Sequence, residues 1–495
     1  MRKPRSTERS DRLRDLLQGL MDASAIPDCS ITGISVDSRQ VKPGNLFIGM
    51  PGVSSDGRAF ASNAVENGAS VLLLETGKEV NLPDQDVPVL QLENIRKHIG
   101  LILNRFYGYP SSQLTVIGVT GTNGKTTCTQ LLSRILDRPG KRCAVIGTLG
   151  NGFPGELETG THTTPDVVTM HRLLSDFVEQ GAHAVCMEVS SHALEQDRVA
   201  GIQFNVALFT NLTRDHLDYH GDMESYGAAK ARLFDVEGLE VAVINLDDEF
   251  GYKLAESLDQ IRVIGFGMSA GEVRAESVHA QADGTTLTLL IGEQQYDVRS
   301  GVYGEFNVSN LLAVAGVLKA LEWNNEEIAV ALSGSTPVPG RMERFGHGSQ
   351  GPVVVVDYAH TPDALKHALS ALRPHTRGAL WCVFGCGGDR DRGKRSLMGS
   401  VADELADHVV LTDDNPRTES PEQIIKDIEQ GMNRPHEVIR PRERAVRETI
   451  AKAKVSDLVL LAGKGHEDYQ EVGKERLYYS DRELVQEILG VLFIQ

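Results

Sequence analysis

Eight short apolar segments of the chain share a pattern that restricts the fold strongly. In each of them a run of β-branched or aliphatic residues ends at a glycine or a polar residue, and helical periodicity follows. Continuous apolar strands that alternate with helices are typical of parallel sheets buried on both faces. Ligands of such sheets bind beyond the carboxyl ends of the strands, where the polar residues fall here. The segments are residues 114–120, 184–189, 206–209, 241–244, 353–356, 381–384, 409–411 and 458–461.

Residues 273–299 break this pattern. Apolar and polar residues alternate there on both sides of Asp283-Gly284. Alternation is typical of a strand with one buried face, and Asp-Gly between two such strands is a strong signal for a two-residue hairpin. We therefore predict an antiparallel ribbon in this region, with its turn at Asp283 and Gly284.

The length of the chain and the composition of two short segments predict three domains. The chain has 495 residues, which suits three domains of ordinary size. Residues 107–112 and 334–340 are rich in Gly, Pro and Ser, as linkers are. We expect an α/β fold with three domains, and the central one contains a parallel sheet. The predicted domains are residues 1–110, 111–336 and 337–495.

Charge and cysteine content exclude several classes of protein. The chain carries 50 basic and 68 acidic residues, so its net charge is near −18. General nucleic-acid binding is excluded, because a phosphate backbone requires a positive surface. No apolar run reaches the roughly 18 residues that a membrane span needs. Six cysteines in so long a chain do not make a disulfide framework, so we expect a reduced, cytoplasmic setting.

The segment T-G-T-N-G-K-T-T at residues 120–127 predicts a nucleotide site. It follows a predicted strand and opens a helix, where backbone N–H groups and the helix N-terminus can hold a polyphosphate. Gly121 and Gly124 let the backbone curl, Lys125 can reach the β- and γ-phosphates, and the Thr126 hydroxyl can face Mg²⁺. The alternative is a glycine turn with a solvated lysine. We favour an ATP or GTP site, which leaves motor, kinase, GTPase and ligase open.

Four further residues, which follow the phosphate loop in the chain, are candidates for this site. Glu188 ends a predicted strand and is a plausible Mg²⁺ ligand, although an ordinary strand-end acid is the alternative. His216 and His220 have the spacing of a zinc pair, but no third soft ligand follows at suitable spacing, so zinc is the weaker interpretation. Lys230 lies among small residues, and by spacing alone it is a surface lysine on a helix.

Nine motifs in order resemble those of the Mur ligases of peptidoglycan synthesis. The resemblance runs from about Val36 to the C-terminus and is most specific to the MurE branch, which adds the third amino acid to UDP-N-acetylmuramoyl-L-alanyl-D-glutamate. The motifs are T-G-T-N-G-K-T-T at 120–127, M-E-V-S-S-H at 187–192, N-L-T-R-D-H-L-D-Y-H-G-D at 211–222, F-N-V-S-N at 306–310, G-R-M-E at 340–343, D-Y-A-H-T-P-D at 357–363, G-C-G-G-D-R-D at 385–391, D-D-N-P-R at 413–417 and A-G-K-G-H-E at 462–467.

The resemblance implies a function and a role for each domain. It implies an N-terminal α/β UDP-muramoyl-binding domain, a central P-loop ATP-binding domain and a C-terminal Rossmann-like domain that binds the amino acid. The implied enzyme is an ADP-forming acid–amino-acid ligase that works through an acyl phosphate. It would be a cytoplasmic monomer that serves peptidoglycan synthesis, and hence cell-wall biogenesis, cell shape and cell division. The alternatives are a lysine-adding ligase of the family, a folylpolyglutamate-synthetase-like ligase and a nucleotide-gated scaffold without turnover.

The resemblance also assigns residues to ATP, to Mg²⁺ and to the UDP-linked substrate. ATP is implied as co-substrate and Mg²⁺ as cofactor, with Thr126, Glu188, His216 and Lys230 as metal ligands and Lys230 as a carbamate. Together with Lys125, the last three would form the catalytic set. The implied ATP contacts are Gly121, Thr122, Asn123, Gly124, Lys125, Thr126, Thr127, Asn307, Asn310, Arg341 and Asp357. The implied contacts to the UDP-linked dipeptide are Val36, Ser38, Val53, Ser54, Ser55, His162, Thr163, Thr164, Ser190, Gln196 and Arg198.

The segment D-N-P-R at residues 414–417 points to the third substrate. Pro416 stiffens a loop after a predicted strand, and Arg417 offers a planar fork for a carboxylate. The alternative is a proline turn with a solvated arginine. By resemblance this form is the signature of enzymes that add meso-2,6-diaminopimelate, whose second carboxylate lysine lacks. The implied contacts are Arg390, Asp414, Asn415, Pro416, Arg417, Gly463 and Glu467.

Overall fold

The computed structural model describes most of the chain. The described residues are 11–52, 55–77, 87–160, 162–281, 283–346 and 351–490. The chain divides into two compact units, Met1–Val243 with Phe250–Val263 and Ile244–Glu249 with Ile264–Gln495. Among the described residues no helix is long and apolar enough to cross a membrane. The predicted domain boundaries stay predictions.

The N-terminal part of the first unit contains a four-stranded parallel sheet in the order β3-β4-β5-β6. Residues 46–48 and 71–74 are buried on both faces, which suits their continuous apolar sequence. Helix α3 buries Ile95, Ile99, Ile102 and Phe106 at the spacing of one helix face. The bounds are β1 Asp11–Arg12, α1 Leu13–Leu17, β2 Ser30–Ile31, β3 Gly33–Ser35, β4 Asn45–Gly49, α2 Ala61–Glu66, β5 Val71–Glu75, β6 Val89–Leu92 and α3 Ile95–Tyr107.

The central parallel sheet of the first unit brings the polar strand ends to one edge. Strand β7 lies between β11 and β12, and β11 also pairs with β8, all in parallel register. Carboxyl ends of parallel strands share an edge, so the residues that follow β7, β11 and β12 lie close together. The bounds are β7 Thr115–Thr120, α4 Lys125–Leu136, β8 Arg142–Gly147, β9 Gly150–Phe153, β10 Glu156–Glu158, α5 Val167–Glu179, β11 Ala182–Glu188, α6 Ser191–Glu195, β12 Val206–Phe209, α7 Leu217–His220, α8 Met223–Ala231, β13 Val241–Asn245 and α9 Glu249–Ser257.

The predicted antiparallel ribbon is present in the second unit and has a third strand. Its hairpin register pairs Gln281 with Gly284, so Gly284 begins a strand and the predicted turn at Asp283-Gly284 is wrong by one residue. Gly284 has a φ of +147°, and a Cβ there would lie 2.1 Å from the Ser300 carbonyl oxygen, which explains the glycine. The bounds are β14 Arg262–Gly267, β15 Val273–Gln281, β16 Gly284–Ile291, β17 Gln294–Ser300, α10 Glu305–Ala320 and α11 Asn325–Ser333.

The C-terminal sheet has the order β18-β19-β23-β20-β21-β22 and is parallel except for the edge strand β18. Its central strands are buried on both faces between helices, as the apolar runs predict. The bounds are β18 Glu343–Phe345, β19 Val353–Asp357, α12 Pro362–Leu372, β20 Leu380–Phe384, α13 Gly393–Leu405, β21 His408–Leu411, α14 Pro421–Glu429, β22 Glu437–Val438, α15 Arg442–Lys452, β23 Leu458–Ala462, β24 Tyr469–Val472, β25 Glu475–Tyr478 and α16 Asp481–Leu489.

Candidate active site

The predicted phosphate loop connects β7 to α4. Gly121 has a φ of +144°, and a Cβ there would lie 1.9 Å from the Thr210 Oγ1, so no other residue fits. Gly124, with a φ of +86°, lies at the N-cap of the helix. The Lys125 Nζ donates to the carbonyl oxygens of Gly121 and Thr122 at 2.8 and 2.9 Å. The loop thus has the strand–loop–helix context that the sequence predicts.

The side chains of Thr126, which follows the loop, and Glu188 are in direct contact. The Thr126 hydroxyl donates to the Glu188 Oε2 at 3.0 Å. Glu188 is 1% exposed, and its carboxylate also accepts hydrogen bonds from the backbone N–H and the hydroxyl of Thr148. A Cβ on Gly147 would lie 2.3 Å from the Glu188 Oε1, so the glycine leaves room for the carboxylate. A hydroxyl and a carboxylate together are a hard oxygen pair of the kind that Mg²⁺ prefers.

Lys230 is buried beside the same loop, so its interpretation as a surface lysine is wrong. It is 1% exposed, its Nζ donates to the Gly121 carbonyl oxygen at 2.9 Å, and it lies 4.2 Å from the centre of the Tyr226 ring. Burial and the nearby Lys125 ammonium lower the pKa of Lys230 to about 6, while Asp215 opposes them. The amine is therefore mostly neutral near pH 7. A neutral amine is the form that can add CO₂ to give a carbamate.

A cluster of rings lies next to Lys230. The ring centre of His216 is 4.9 Å from that of His192. The His220 ring contacts Ser191 through Nε2 at 2.9 Å and Glu195 through Nδ1 at 3.1 Å. Both ring nitrogens of His220 thus have protein partners, which disfavours the zinc pair. Among the described residues no group of three or more His, Cys, Asp and Glu is placed to hold a metal ion. Sequence reasoning missed His192, Tyr219 and Tyr226 as members of this cluster.

Residues predicted to hold the muramoyl-dipeptide form one hydrogen-bonded network beside Glu188. The Thr164 hydroxyl donates to the Glu188 carbonyl oxygen at 2.8 Å and accepts from the Ser190 N–H at 3.1 Å. The Arg198 guanidinium donates to the Thr164 carbonyl oxygen at 2.9 Å and to the Gln196 Oε1 at 2.7 Å. Thr163 and Thr148 share a hydroxyl contact of 3.0 Å, and His162 directly precedes Thr163 in the chain.

The predicted uridine residues lie in the N-terminal part of the same unit. Ser38 is buried in a short turn that Asp37 caps, and Ser55 is exposed. Val36 lines a cleft of about 1440 Å³ together with Arg39 of the same segment. Among the described residues that line this cleft, none belongs to the phosphate loop. Val53 and Ser54 lie outside the described residues.

Four predicted ATP residues lie in the second unit. The Asn307 side chain donates to the Tyr303 carbonyl oxygen at 2.9 Å and accepts from Asn310 at 3.0 Å, which fixes both amides. The Asp357 carboxylate accepts the N–H groups of Met342 and Ala359 at 2.7 and 2.8 Å. Burial raises the pKa of Asp357, and Arg341 and these N–H groups oppose the rise. Asp357 therefore holds the turn that carries Arg341.

The D-N-P-R loop packs tightly against the loop of residues 385–391. A Cβ on Gly388 would lie 1.9 Å from the Pro416 carbonyl oxygen. Arg417 has a φ of +50° and a side chain 22% exposed, so its guanidinium is only partly buried. Its Nε donates to the Glu471 Oε2 at 2.7 Å and its Nη1 to the Gly388 carbonyl oxygen at 2.8 Å. The predicted fork thus already has two partners within the chain, the Glu471 carboxylate and the Gly388 carbonyl oxygen.

The other predicted residues of this pocket surround the same loop. The Asn415 Nδ2 donates to the Glu467 Oε2 at 3.1 Å. Gly463 has a φ of +112°, and a Cβ there would lie 2.7 Å from the Asp414 Oδ2. Arg390 is exposed on the neighbouring loop. The structure therefore brings Asp414, Asn415, Gly463 and Glu467 together, and their role as a binding pocket stays a prediction.

Three stretches of the chain match family models. Residues 119–318 match the Mur ligase middle domain, and residues 340–465 match the Mur ligase glutamate ligase domain. Residues 30–107 match the model described as the catalytic domain of the Mur ligase family.

Curated relatives match nearly the whole chain. A protein of Pseudomonas putida is 48% identical over 472 residues, which cover 93% of this chain and 95% of the relative. A protein of Alkalilimnicola ehrlichii is 47% identical over 493 residues, 97% of this chain and 99% of the relative. The chain belongs to the Mur ligase family. Both relatives of this Mur ligase are named UDP-N-acetylmuramoyl-L-alanyl-D-glutamate–2,6-diaminopimelate ligase.

Solved structures agree with the Mur ligase fold. A structure of a UDP-N-acetylmuramoyl-L-alanyl-D-glutamate–2,6-diaminopimelate ligase is 35% identical, with a TM-score of 0.74 over 97% of this chain and 99% of that one. The folylpolyglutamate synthase of Mycobacterium tuberculosis is 18% identical, with a TM-score of 0.58 over 73% of this chain and 91% of that one. The second likeness shows a shared fold alone. The predicted α/β fold is confirmed.

Proposed function

We propose that this Mur ligase joins meso-2,6-diaminopimelate to the D-glutamate of UDP-N-acetylmuramoyl-L-alanyl-D-glutamate, with ATP as co-substrate. The names of relatives at 47–48% identity support the two substrates. The observation that carries the proposal in this chain is the pocket of Asp414, Asn415, Arg417 and Glu467, because it offers a cation and two carboxylates to a zwitterionic amino acid. The monomeric state and the cytoplasmic location remain proposals from the sequence.

The first chemical step is phosphoryl transfer. An oxygen of the substrate carboxylate attacks the γ-phosphorus of ATP, the bond to the β,γ-bridging oxygen breaks, and ADP leaves with that electron pair. Two anions approach each other in this step, so the charge that develops must be offset. Lys125 supplies a cation at the loop, and the loop N–H groups and the N-terminus of α4 supply partial positive charge.

Thr126 and Glu188 suit Mg²⁺ at this loop. Their hydroxyl and carboxylate oxygens are 3.0 Å apart and buried, and the carboxylate is held by Thr148. Bound there, Mg²⁺ would neutralise phosphate charge. His216 and a carbamate on Lys230 are the proposed ligands of a second ion, and the lowered pKa of Lys230, about 6, supports carbamate formation.

The second step forms the amide bond. The amine of diaminopimelate attacks the acyl carbon, the carbon–oxygen bond to phosphate breaks, and inorganic phosphate leaves while the amine loses a proton. Specificity then depends on Arg417, which would pair with the carboxylate that lysine lacks. A pocket built for that carboxylate rejects lysine, because the polar groups that should bind it would stay unpaired.

Phosphate release tests the proposed function. The purified protein should release phosphate from ATP when the UDP-linked dipeptide and meso-diaminopimelate are both present, and should release much less when either is omitted. Phosphate release that does not depend on the amino acid would contradict the proposal. Release that is absent with all three substrates would favour the scaffold without turnover.

A further inference from the structure

Lys464 is a fully buried lysine that none of the proposed steps uses. It follows strand β23 and lies between Gly463 and Gly465, whose φ angles are +112° and +53°. Its side chain is 0% exposed. Burying an ammonium is costly unless other groups pair with it. The partners of Lys464 therefore indicate what it does.

Among the described residues, the two side chains that accept hydrogen bonds from Lys464 both belong to the proposed diaminopimelate pocket. The Lys464 Nζ donates to the Asn415 Oδ1 at 3.1 Å and to the Glu467 Oε2 at 3.0 Å. The Asn415 Nδ2 donates to that same Glu467 oxygen at 3.1 Å. The three side chains thus close a ring of hydrogen bonds, with the ammonium as the donor to both of its neighbours.

This ring decides which way the Asn415 amide points. The amide oxygen faces two donors, the Lys464 ammonium and the Glu471 N–H at 3.0 Å. The amide NH₂ faces the Glu467 carboxylate. A flipped amide would direct its NH₂ at an ammonium and its oxygen at a carboxylate, and both contacts would be repulsive. Lys464 therefore favours one of the two orientations.

The ring also divides the roles of the two Glu467 oxygens. Oε2 accepts from Lys464 and Asn415, whereas Oε1 has a long contact of 3.5 Å with the Tyr469 hydroxyl. A contact of that length is weak, so Oε1 keeps capacity to accept a stronger donor. An ammonium of the amino-acid substrate is such a donor.

We propose that Lys464 is a positioning residue for the amino-acid substrate, which it serves by fixing the Asn415 amide and the Glu467 carboxylate. This proposal rests on the proposed function, since it takes these two side chains to contact diaminopimelate. A purely structural ion pair is the alternative. The two roles predict different kinetics. Loss of a positioning residue changes the KM for the amino acid, whereas loss of a structural ion pair changes the KM values of all substrates alike.

Four variants separate these roles in steady-state kinetics of the full chain. Lys464→Met and Glu467→Gln each remove one charge, and the double variant removes both. Lys474→Met is the matched control, because Lys474 is an exposed lysine in the neighbouring β24–β25 turn. We expect Lys464→Met to raise the KM for diaminopimelate at least about tenfold. The KM values for ATP and the UDP-linked dipeptide should change less than about twofold, as should all three in the control.

The double variant tests whether Lys464 acts through Glu467. If it does, the KM for diaminopimelate in the double variant should stay within about twofold of that of the worse single variant, since coupled residues are not additive. Multiplied effects of the two substitutions would overturn the proposal. An unchanged KM in a folded Lys464→Met protein, or an equal rise for all three substrates, would overturn it as well.

Folding and the proposed function are controlled separately. If Lys464→Met does not fold, the double variant decides alone, because removal of both partners leaves no buried charge unpaired. A KM for diaminopimelate in the double variant within about twofold of the wild type would then overturn the proposal, and a rise of at least about tenfold confined to that substrate would support it. Absence of diaminopimelate turnover in the wild-type protein would instead contradict the proposed function.

Discussion

Glu188 is the residue whose replacement tests the phosphate site most sharply. We expect Glu188→Gln to lower kcat about 10²- to 10³-fold, because the amide keeps the shape but loses the charge that would hold Mg²⁺ at the loop. The KM for diaminopimelate should stay nearly constant. Phosphate release under saturating substrates measures the effect, and Glu195→Gln serves as a control on an acid 47% exposed. Equal activity of Glu188→Gln and wild type would contradict the proposed role.

The sequence alone predicts the residues of the phosphate loop, but it does not predict the burial of two lysines. Gly121, Lys125 and Thr126 are predictable, because the order of strand, glycine loop and helix is local. The burial of Lys230 and Lys464 is not local. Helical spacing favours a solvated lysine at 230, and only packing against the loop lowers its exposure to 1%. A lysine between two glycines at the end of an apolar strand was the one signal for Lys464.

At the scale of elements, helix α5 carries a histidine that links stability to pH. His171 is 0% exposed, its Nε2 lies 2.9 Å from the Ala200 carbonyl oxygen, and burial lowers its pKa to about 4. The ordinary pKa is 6.5, so between these values the unfolded chain binds a proton that the native state does not. Stability is therefore fully present above about pH 6.5 and falls as the pH decreases toward 4.

We expect this histidine to cost about 2 kcal/mol of unfolding free energy on going from pH 7 to pH 5. In His171→Gln the loss over that range should shrink by a similar amount, because glutamine does not titrate. Denaturant unfolding of the first unit at the two pH values measures the difference. His183→Gln, at an exposed histidine of the same unit, is the matched control. If the His171 variant and the wild type lost the same unfolding free energy between pH 7 and pH 5, this account would be refuted.

Two loops at the carboxyl edge of the C-terminal sheet must fit closely to form the proposed diaminopimelate pocket. The Cβ of Gly388→Ala would lie 1.9 Å from the Pro416 carbonyl oxygen, so the D-N-P-R loop has to move. We expect kcat/KM for diaminopimelate to fall at least about tenfold while ATP binding is retained. Gly351→Ala is the control, since its Cβ has nothing nearer than 4.0 Å. Unchanged kinetics in Gly388→Ala would show that this packing does not matter.

The strands could be predicted from the sequence because their signals are local, whereas features that depend on distant contacts could not. All eight apolar segments are strands, because β-branched residues favour the extended backbone of a strand. The ribbon was predicted with its turn one residue late, since Gly284 is required by the close approach of Ser300 and not by the turn itself. The order of strands in the sheets was out of reach, because it depends on contacts distant in sequence.

For the whole molecule, a net charge of −18 is compatible with the two anionic substrates that are proposed, ATP and the UDP-linked dipeptide. Net charge governs solubility and non-specific binding, whereas a site depends on a few placed groups. Lys125 in the first unit and Arg417 in the second are the groups proposed for such sites, and each donates a hydrogen bond to a backbone carbonyl oxygen. The excess of acidic residues therefore argues against nucleic acid as a partner, but it does not determine the charge inside a binding cleft.

The central claim is that this Mur ligase selects diaminopimelate as its amino acid. A competition experiment tests it most directly: wild-type protein, ATP, UDP-N-acetylmuramoyl-L-alanyl-D-glutamate and equal concentrations of meso-diaminopimelate and L-lysine, with the products identified by mass spectrometry. We predict that the diaminopimelate product exceeds the lysine product at least about 100-fold. A lysine product in equal or greater amount would contradict the account.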